Sequence, residues 1–205
     1  MHAAASLMMG YFIGCLSPAK LVSKRHDVNL KETGTGNLGA TNTALVLGKK
    51  AGYFVLFFDI FKSFLSYKIA KILFPQAMLA GILAGIGVIL GHSFPVFMHF
   101  QGGKGLAAFG GLVLAHDPLQ FAVLLALGIA MAFIMNYGVY LAITAAGLFP
   151  IFSYFRSGSW QIFWGTAAAS ALVIGLHLGN LRRAITGEDP IHTRDGFQKI
   201  FGKKK

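Results

Sequence analysis

The residues of this 205-residue chain that are best suited to chemistry lie in three stretches rich in glycine or basic side chains. The first, residues 34–42, reads GTGNLGATN. Glycines permit left-handed backbone conformations, so successive N–H groups can point into one concavity and bind an anion, with Thr and Asn as additional donors. The candidate anion-binding residues are Gly34, Thr35, Gly36, Asn37, Gly39, Thr41 and Asn42. The alternative is a tight interfacial turn capped by Thr and Asn.

The same stretch matches the dinucleotide-binding pattern G-x-G-x-x-G, and Asp59 follows twenty residues after its last glycine. A dinucleotide site requires a strand before the glycines and places the acid at the end of a second strand. Here a polar segment, residues 24–29, precedes the glycines, and Asp59 lies inside an apolar run. The sequence therefore predicts no dinucleotide site.

The second stretch, residues 91–105, ends in Gly-Gly-Lys-Gly. A lysine between glycines places a point charge beside open backbone donors, which suits phosphate. It is not a Walker A motif, because Met98 replaces the first glycine and Gly105 follows the lysine. The candidates are Lys104 for catalysis and Gly102, Gly103 and Gly105 for phosphate binding. The alternative for Lys104 is a basic residue that only marks the cytoplasmic side of a helix. His92 is either a general base or a helix-end cap.

The third group lies at the end of the last apolar run and comprises His177, Asn180 and Arg183. Residues three apart share one face of a helix, so these side chains are expected to lie together. Arg183 is alternatively a plain anchor at the membrane surface.

Asp59 and Lys62 are also three apart and can form an ion pair within the membrane. Such a pair is either functional or a structural tie to a basic loop.

The composition indicates a membrane protein. Apolar residues make up 55% of the chain and charged residues 12%, against about 25% charged in an ordinary globular domain. The net charge is +11, but the basic residues cluster between apolar runs and at the C-terminus. This distribution argues against a nucleic-acid partner, which favours a basic stripe. The single Cys15 cannot form an internal disulfide.

We predict an all-α integral membrane protein, a single domain over residues 1–205, with seven transmembrane helices. The spans are 3–22, 51–73, 76–97, 104–116, 119–135, 137–155 and 160–180. The 104–116 span is too short to cross alone unless its glycine-rich start lies at membrane depth within the protein.

The distribution of basic residues predicts the orientation. Fourteen lysines and arginines lie in 19–50, at Lys104 and after residue 180, whereas three lie on the opposite side. This bias predicts an outside N-terminus and a cytoplasmic C-terminus. The three glycine-rich or basic stretches then all face the cytoplasm.

Together and in this order, these stretches resemble the bacterial acyl-phosphate-dependent glycerol-3-phosphate acyltransferases, the PlsY family. The matching pieces are 34–42, 48–52, 59–62, 91–92 with 94–97, 102–105, and His177 with Asn180, Arg183, Gly187 and Glu188. The resemblance runs through most of the chain and agrees with seven spans. It implies a multi-pass enzyme of the bacterial plasma membrane whose active site faces the cytoplasm.

The resemblance implies transfer of an acyl group from acyl-phosphate to the first hydroxyl of glycerol 3-phosphate, which gives lysophosphatidate and phosphate. The expected partners are these two substrates and membrane lipid, and no metal, cofactor or covalent nucleophile is expected. Two anion-binding loops fit two phosphate-bearing substrates, and positioning with stabilisation of the departing phosphate can supply much of the rate. We expect Lys104, His177 and Asn180 to contact the acceptor phosphate and residues 35–42 to hold the acyl-phosphate head group. Either His92 or a substrate phosphate oxygen takes the proton.

Two positions depart from the family pattern. In the family an arginine usually follows Gly-Ala-Thr-Asn by three positions, and here that position is Leu45. The family also tends to carry an arginine followed by serines at the turn before the sixth span, where this chain has Asn136. Arginine binds phosphate strongly and often bidentately, and neither leucine nor the nearby Lys49 and Lys50 is equivalent. The alternatives are therefore a divergent paralogue with another acceptor, or a weak or inactive phosphate-binding membrane protein. An unrelated transporter ranks last, because Asp59 and Lys62 form the only clear intramembrane ionisable pair.

Overall fold

The computed structural model describes residues 1–189 and 192–201, and the regular structure of this part of the chain is entirely helical. The helices are α1 (His2–Gly14), α2 (Pro18–Arg25), α3 (Ala40–Leu47), α4 (Lys49–Leu73), α5 (Ala80–Ser93), α6 (Leu106–His116), α7 (Pro118–Ile134), α8 (Val139–Ser157), α9 (Trp160–Thr186) and α10 (Thr193–Phe201). A 3₁₀ turn, Val96–Met98, follows α5. The predicted all-α class is confirmed.

Four helical stretches in the described part are long and apolar enough to cross a membrane. They are His2–Arg25, Ala80–Met98, Val139–Ser157 and Trp160–Thr186. Helices α6 and α7 are apolar but shorter, and α4 has 25 residues but carries several charged ones. Seven spans and the orientation of the termini stay predictions.

Two predicted spans differ in detail from the helices. The 3–22 span falls within the apolar stretch His2–Arg25, but the helix is interrupted there, because α1 ends at Gly14 and α2 begins at Pro18. Proline has no N–H and is tolerated in the first turn of a helix, where the Ser17 side chain accepts from the Lys20 N–H (3.2 Å). The stretch that corresponds to the predicted 76–97 span begins at Ala80, and it consists of α5 to Ser93 followed by the 3₁₀ turn Val96–Met98.

Helices α1 and α5 pack with their backbones in contact. A Cβ atom added at Gly10 would lie 2.0 Å from the Ala84 carbonyl oxygen, and one at Gly91 would lie 2.0 Å from the Tyr11 oxygen. Small residues permit this close approach of helices in membranes. The contact places the C-terminal end of α1 beside the C-terminal end of α5, where the second glycine-rich stretch begins.

The turn between α6 and α7 lies at the far end of α6 from Lys104. Asp117 Oδ1 accepts from the Leu119 and Gln120 N–H groups (2.9 and 3.0 Å), and Arg156 Nε donates to its Oδ2 (2.9 Å). Partial burial raises the pKa of Asp117. The Gln120 N–H, the Arg156 guanidinium and the Leu119 N–H lower the pKa by more than burial raises it, so the pKa lies below its ordinary value.

An ion pair lies inside the helix bundle. Lys62 Nζ is 2.7 Å from Asp59 Oδ1, and the two side chains are only 3% and 1% exposed. Lys62 Nζ also donates to the carbonyl oxygens of Gly14 (3.1 Å) and Leu16 (2.8 Å), at the C-terminal end of α1. His92 Nδ1, at the end of α5, lies 3.3 Å from both Lys62 Nζ and Asp59 Oδ1. The predicted pair is therefore confirmed, and it joins α4 to α1 and α5.

Lys62→Met is expected to lower the free energy of unfolding by about 3–5 kcal/mol, because it removes the cation that neutralises the buried Asp59 carboxylate and leaves only His92 beside it. The double variant Asp59→Asn/Lys62→Met should recover part of this loss. The matched control is Lys68→Met, since Lys68 lies on the same helix, is exposed and donates to the Ala115 carbonyl. Unfolding in detergent measures all three, and equal stability of Lys62→Met and wild type would contradict the expectation.

Candidate active site

The first glycine-rich stretch forms a loop that is organised by Asn42. Its Oδ1 accepts from the Thr35 N–H (2.7 Å), and its Nδ2 donates to the carbonyls of Leu30 (2.8 Å) and Thr33 (3.1 Å). The residue is 1% exposed. Because both amide atoms are engaged by the loop, we expect Asn42 to shape the loop rather than to touch a ligand.

The glycines of this loop serve different purposes. Gly34 and Gly36 have φ angles of 61° and 71°, in the left-handed region. A Cβ atom at Gly34 would lie 2.2 Å from Asn42 Oδ1, so a side chain there would displace the organising amide. Gly39 has an extended φ of −137° and precedes the first turn of α3.

Three polar residues of the loop lie nearer to solvent. Thr35 and Thr41 are exposed, and Asn37 is half-buried. The Asn37 N–H donates to Thr35 Oγ1 (3.3 Å). These residues occupy the open part of the loop, as an anion-binding role requires.

The second glycine-rich stretch folds back onto the end of α5. The Gly102 N–H donates to the Ser93 carbonyl (2.9 Å), and the Gly103 N–H donates to the His92 carbonyl (3.1 Å). These two N–H groups are therefore not open donors, and a substrate-binding role of Gly102 and Gly103 stays a prediction. Gly105 has a φ of 75° and leads into α6, so its backbone conformation favours glycine.

Glycine is required at 102 and 103 because the backbones approach closely. A Cβ atom at Gly102 would lie 1.9 Å from the His92 carbonyl oxygen. One at Gly103 would lie 2.3 Å from His92 Nε2 and 2.7 Å from the Leu38 carbonyl oxygen. Gly103 is thus enclosed between the His92 ring and the first loop.

The third group meets the second loop at Lys104. Lys104 Nζ donates to Asn180 Oδ1. His177 is 6% exposed, and its Nδ1 donates to the Val173 carbonyl (2.9 Å), which leaves Nε2 as the second ring nitrogen. Lys104 is close enough to His177 and Arg183 for their charges to interact. The structure therefore brings together four of the predicted site residues.

The two glycine-rich loops are also joined by a pair that the sequence does not reveal. Lys31 Nζ donates to Gln101 Oε1 (2.7 Å), although the residues are 70 positions apart. Both side chains are common polar residues with no distinctive spacing, so no pattern in a single sequence indicates the contact.

His92 lies beneath the second loop. It is buried, its Nδ1 faces Asp59 and Lys62, and its Nε2 lies against Gly103. These contacts of His92 do not include Lys104 or Asn180. The sequence leaves His92 as either a general base or a helix-end cap. The structure adds a third role, in which the His92 ring supports the second loop.

The two departures from the family pattern have distinct surroundings. Leu45 is half-buried on α3. Asn136 has a left-handed φ of 62° and accepts two backbone N–H groups, from Thr193 to its carbonyl (2.8 Å) and from Arg194 to its Oδ1 (3.1 Å). The Arg194 guanidinium donates to the Phe133 carbonyl (3.2 Å). A guanidinium thus lies at the α7–α8 turn, supplied by α10.

The assembled site presents a lysine ammonium, an imidazole, an amide and a guanidinium beside two glycine-rich loops. Such donors suit an anionic ligand, and phosphate above all. A family model described as glycerol-3-phosphate acyltransferase matches residues 4–187. The chain belongs to the glycerol-3-phosphate acyltransferase family.

Two relatives illustrate the similarity. The glycerol-3-phosphate acyltransferase of Thermoanaerobacter sp. (strain X514) is 33% identical over 190 residues, which cover 92% of this chain and 95% of the relative. That of Macrococcus caseolyticus (strain JCSC5402) is 33% identical over 192 residues, with coverage of 93% and 97%.

Two crystal structures of PlsY, an integral membrane glycerol 3-phosphate acyltransferase, have a similar fold. Its glycerol 3-phosphate form aligns with a TM-score of 0.84 at 30% identity, over 92% of this chain and 94% of that one. Its lysophosphatidic acid form aligns with a TM-score of 0.86 at 28% identity, over 96% and 99%. The resemblance to the PlsY family is confirmed, and this protein is a multi-pass membrane acyltransferase of phospholipid synthesis.

Asn42→Ala is expected to lower the free energy of unfolding by about 1–3 kcal/mol, because it leaves buried partners of the amide unsatisfied. Amide hydrogen exchange of residues 33–36 should also become faster. The neighbouring exposed Thr41→Ala is the matched control and should change neither quantity. Unaltered exchange in Asn42→Ala would show that the amide does not organise the loop.

Proposed function

We propose that this acyltransferase transfers an acyl group from acyl-phosphate to the 1-hydroxyl of glycerol 3-phosphate and releases lysophosphatidate and phosphate. The observation that carries the proposal is the contact of Lys104 with Asn180, beside His177 and Arg183. The names of the relatives support glycerol 3-phosphate as the acceptor. The two forms of PlsY are described with glycerol 3-phosphate and lysophosphatidic acid, which are the acceptor and the product of this reaction.

The acceptor phosphate is proposed to bind at Lys104, His177 and Asn180, with Arg183 as a further cation. Asn180 holds the Lys104 ammonium in one place, so less conformational freedom is lost when phosphate binds. The His177 Nδ1–H is engaged by Val173, which leaves Nε2 for the ligand.

The acyl-phosphate head group is proposed to bind at the first loop, where the positive-φ glycines and the exposed Thr35 and Thr41 lie. The acyl chain remains in the lipid between helices. The acceptor hydroxyl oxygen attacks the acyl carbonyl carbon, the bond from that carbon to the phosphate oxygen breaks, and phosphate leaves. The hydroxyl proton passes to a substrate phosphate oxygen. Holding both anions together and stabilising the leaving phosphate supply much of the rate.

We also propose a single domain over residues 1–205 with seven spans, an outside N-terminus and a cytoplasmic C-terminus. The excess of lysine and arginine on one side supports this arrangement. The candidate site then faces the cytoplasm, where soluble glycerol 3-phosphate is available.

Lys104→Ala is expected to lower kcat/KM for glycerol 3-phosphate by roughly 10²–10³-fold, since it removes a charged donor from the reacting phosphates. The assay uses purified protein in detergent with acyl-phosphate and glycerol 3-phosphate, and it measures lysophosphatidate. Lys71→Ala, an exposed lysine at the far end of α4, is the control and should retain wild-type turnover.

Two outcomes would contradict the proposed reaction. One is a wild-type yield of lysophosphatidate no greater than that of Lys104→Ala. The other is saturable glycerol 3-phosphate binding without turnover, together with failure to rescue a bacterial strain that lacks its own acyltransferase. The second result would favour an inactive paralogue, to which the absence of arginine at Leu45 also points.

The proposed orientation is tested by single cysteines in a Cys15→Ser background. Glu32→Cys and Ser157→Cys change exposed residues on opposite sides of the proposed membrane. In intact spheroplasts, an impermeant maleimide should label Cys at 157 and should label Cys at 32 only after permeabilisation. Labelling of both, or the reverse pattern, would overturn the seven-span topology.

A further inference from the structure

The buried cluster of Asp59, Lys62 and His92 lies directly beneath the loop that carries Lys104. We propose that these three residues are positioning residues for the loop of residues 102–105, and that they act on the substrate phosphate only through that loop. The inference rests on the proposed function, because it gives the loop's position a role in acyl transfer.

The first step of the argument is the location of the Lys62 ammonium. It is bound by the Asp59 carboxylate (2.7 Å) and by the Gly14 and Leu16 carbonyls (3.1 and 2.8 Å). Two of these partners are main-chain carbonyls at the C-terminal end of α1, Gly14 within the helix and Leu16 just after it, and they cannot move without moving that end of the helix. The ammonium therefore has one position, set by α1 and α4 together.

The second step is the orientation of His92. Its Nδ1 lies 3.3 Å from Lys62 Nζ and from Asp59 Oδ1. The contact determines which edge of the ring faces the buried pair. It leaves the opposite edge, with Nε2, against Gly103.

The third step is the contact between His92 and the loop. The His92 carbonyl accepts from the Gly103 N–H (3.1 Å), and the adjacent Ser93 carbonyl accepts from the Gly102 N–H (2.9 Å). A Cβ atom at Gly103 would lie 2.3 Å from Nε2, so the ring supports the loop backbone at van der Waals distance. The next residue is Lys104, which donates to Asn180. The chain of contacts thus runs from the end of α1 to the proposed phosphate-binding lysine.

The same contacts argue against His92 as the general base. A base needs a nitrogen within reach of the proton that it removes. Nδ1 faces the buried ion pair, and Nε2 faces the Gly103 backbone. Both ring nitrogens therefore face protein.

The test combines steady-state kinetics with amide hydrogen exchange of residues 101–105 in detergent. His92→Leu and Lys62→Met should raise the exchange rates of the Gly102 and Gly103 amides about tenfold, and they should lower kcat/KM for glycerol 3-phosphate by roughly 10²-fold, mainly through KM. His92→Asn keeps a polar atom near the Nδ1 position but lacks the ring edge against Gly103, so it should restore only part of both values. Lys68→Met, a change of the same kind on the same helix, should alter neither.

Two results would overturn the positioning role. One is unchanged exchange of the Gly102 and Gly103 amides in His92→Leu. The other is equal loss of kcat in His92→Asn and His92→Leu, with loss of the acidic limb of the pH–rate profile, because that is the behaviour of a general base. If Lys62→Met does not fold, the two His92 variants decide the matter.

Lys104→Ala separates this proposal from the proposed function. It should abolish most turnover and leave the exchange of Gly102 and Gly103 as in wild type. If the wild-type enzyme itself makes no lysophosphatidate, the proposed reaction fails. Faster amide exchange in His92→Leu and Lys62→Met would still show that the cluster holds the loop in place.

Discussion

A lysine and an aspartate buried among apolar helices are tolerated only when each has partners, and this constraint organises one end of the molecule. Lys62 is neutralised by Asp59 and also binds the carbonyls of Gly14 and Leu16. Helix C-termini leave carbonyl groups unsatisfied and carry partial negative charge, so the end of α1 is a favourable place for an ammonium. The break before Pro18 that exposes these carbonyls is therefore part of the same arrangement as the ion pair.

The glycines near the proposed site divide into two kinds that look alike in sequence. Gly34 and Gly36 adopt positive φ and give the first loop its curvature. Gly102 and Gly103 instead allow close contact with the end of α5, and their N–H groups are used there. Anion binding by the second loop, as proposed, thus depends on the Lys104 side chain more than on the loop backbone, whereas backbone donors remain the proposed basis of anion binding by the first loop.

Local spacing predicted the features that depend on neighbouring residues. The helical class, the Asp59–Lys62 pair and a common face for His177 and Asn180 follow from hydrophobic runs and three-residue spacing. The convergence with Lys104 came from the family resemblance. Features that depend on distant contacts could not be predicted, such as Lys31 with Gln101 and the orientation of His92. The continuous apolar run over residues 3–22 predicts a single span and conceals the break before α2, although Ser17-Pro18 is a recognisable helix start.

The docking of α10 on the α7–α8 turn bears on how divergent relatives are compared. By resemblance to the family, a cation is expected near Asn136 at that turn. In the folded chain Asn136 binds the first residues of α10, and the Arg194 guanidinium lies at the same turn. A positive charge that is absent from one stretch of the sequence can thus be supplied at the same turn by a segment distant in the chain, here α10.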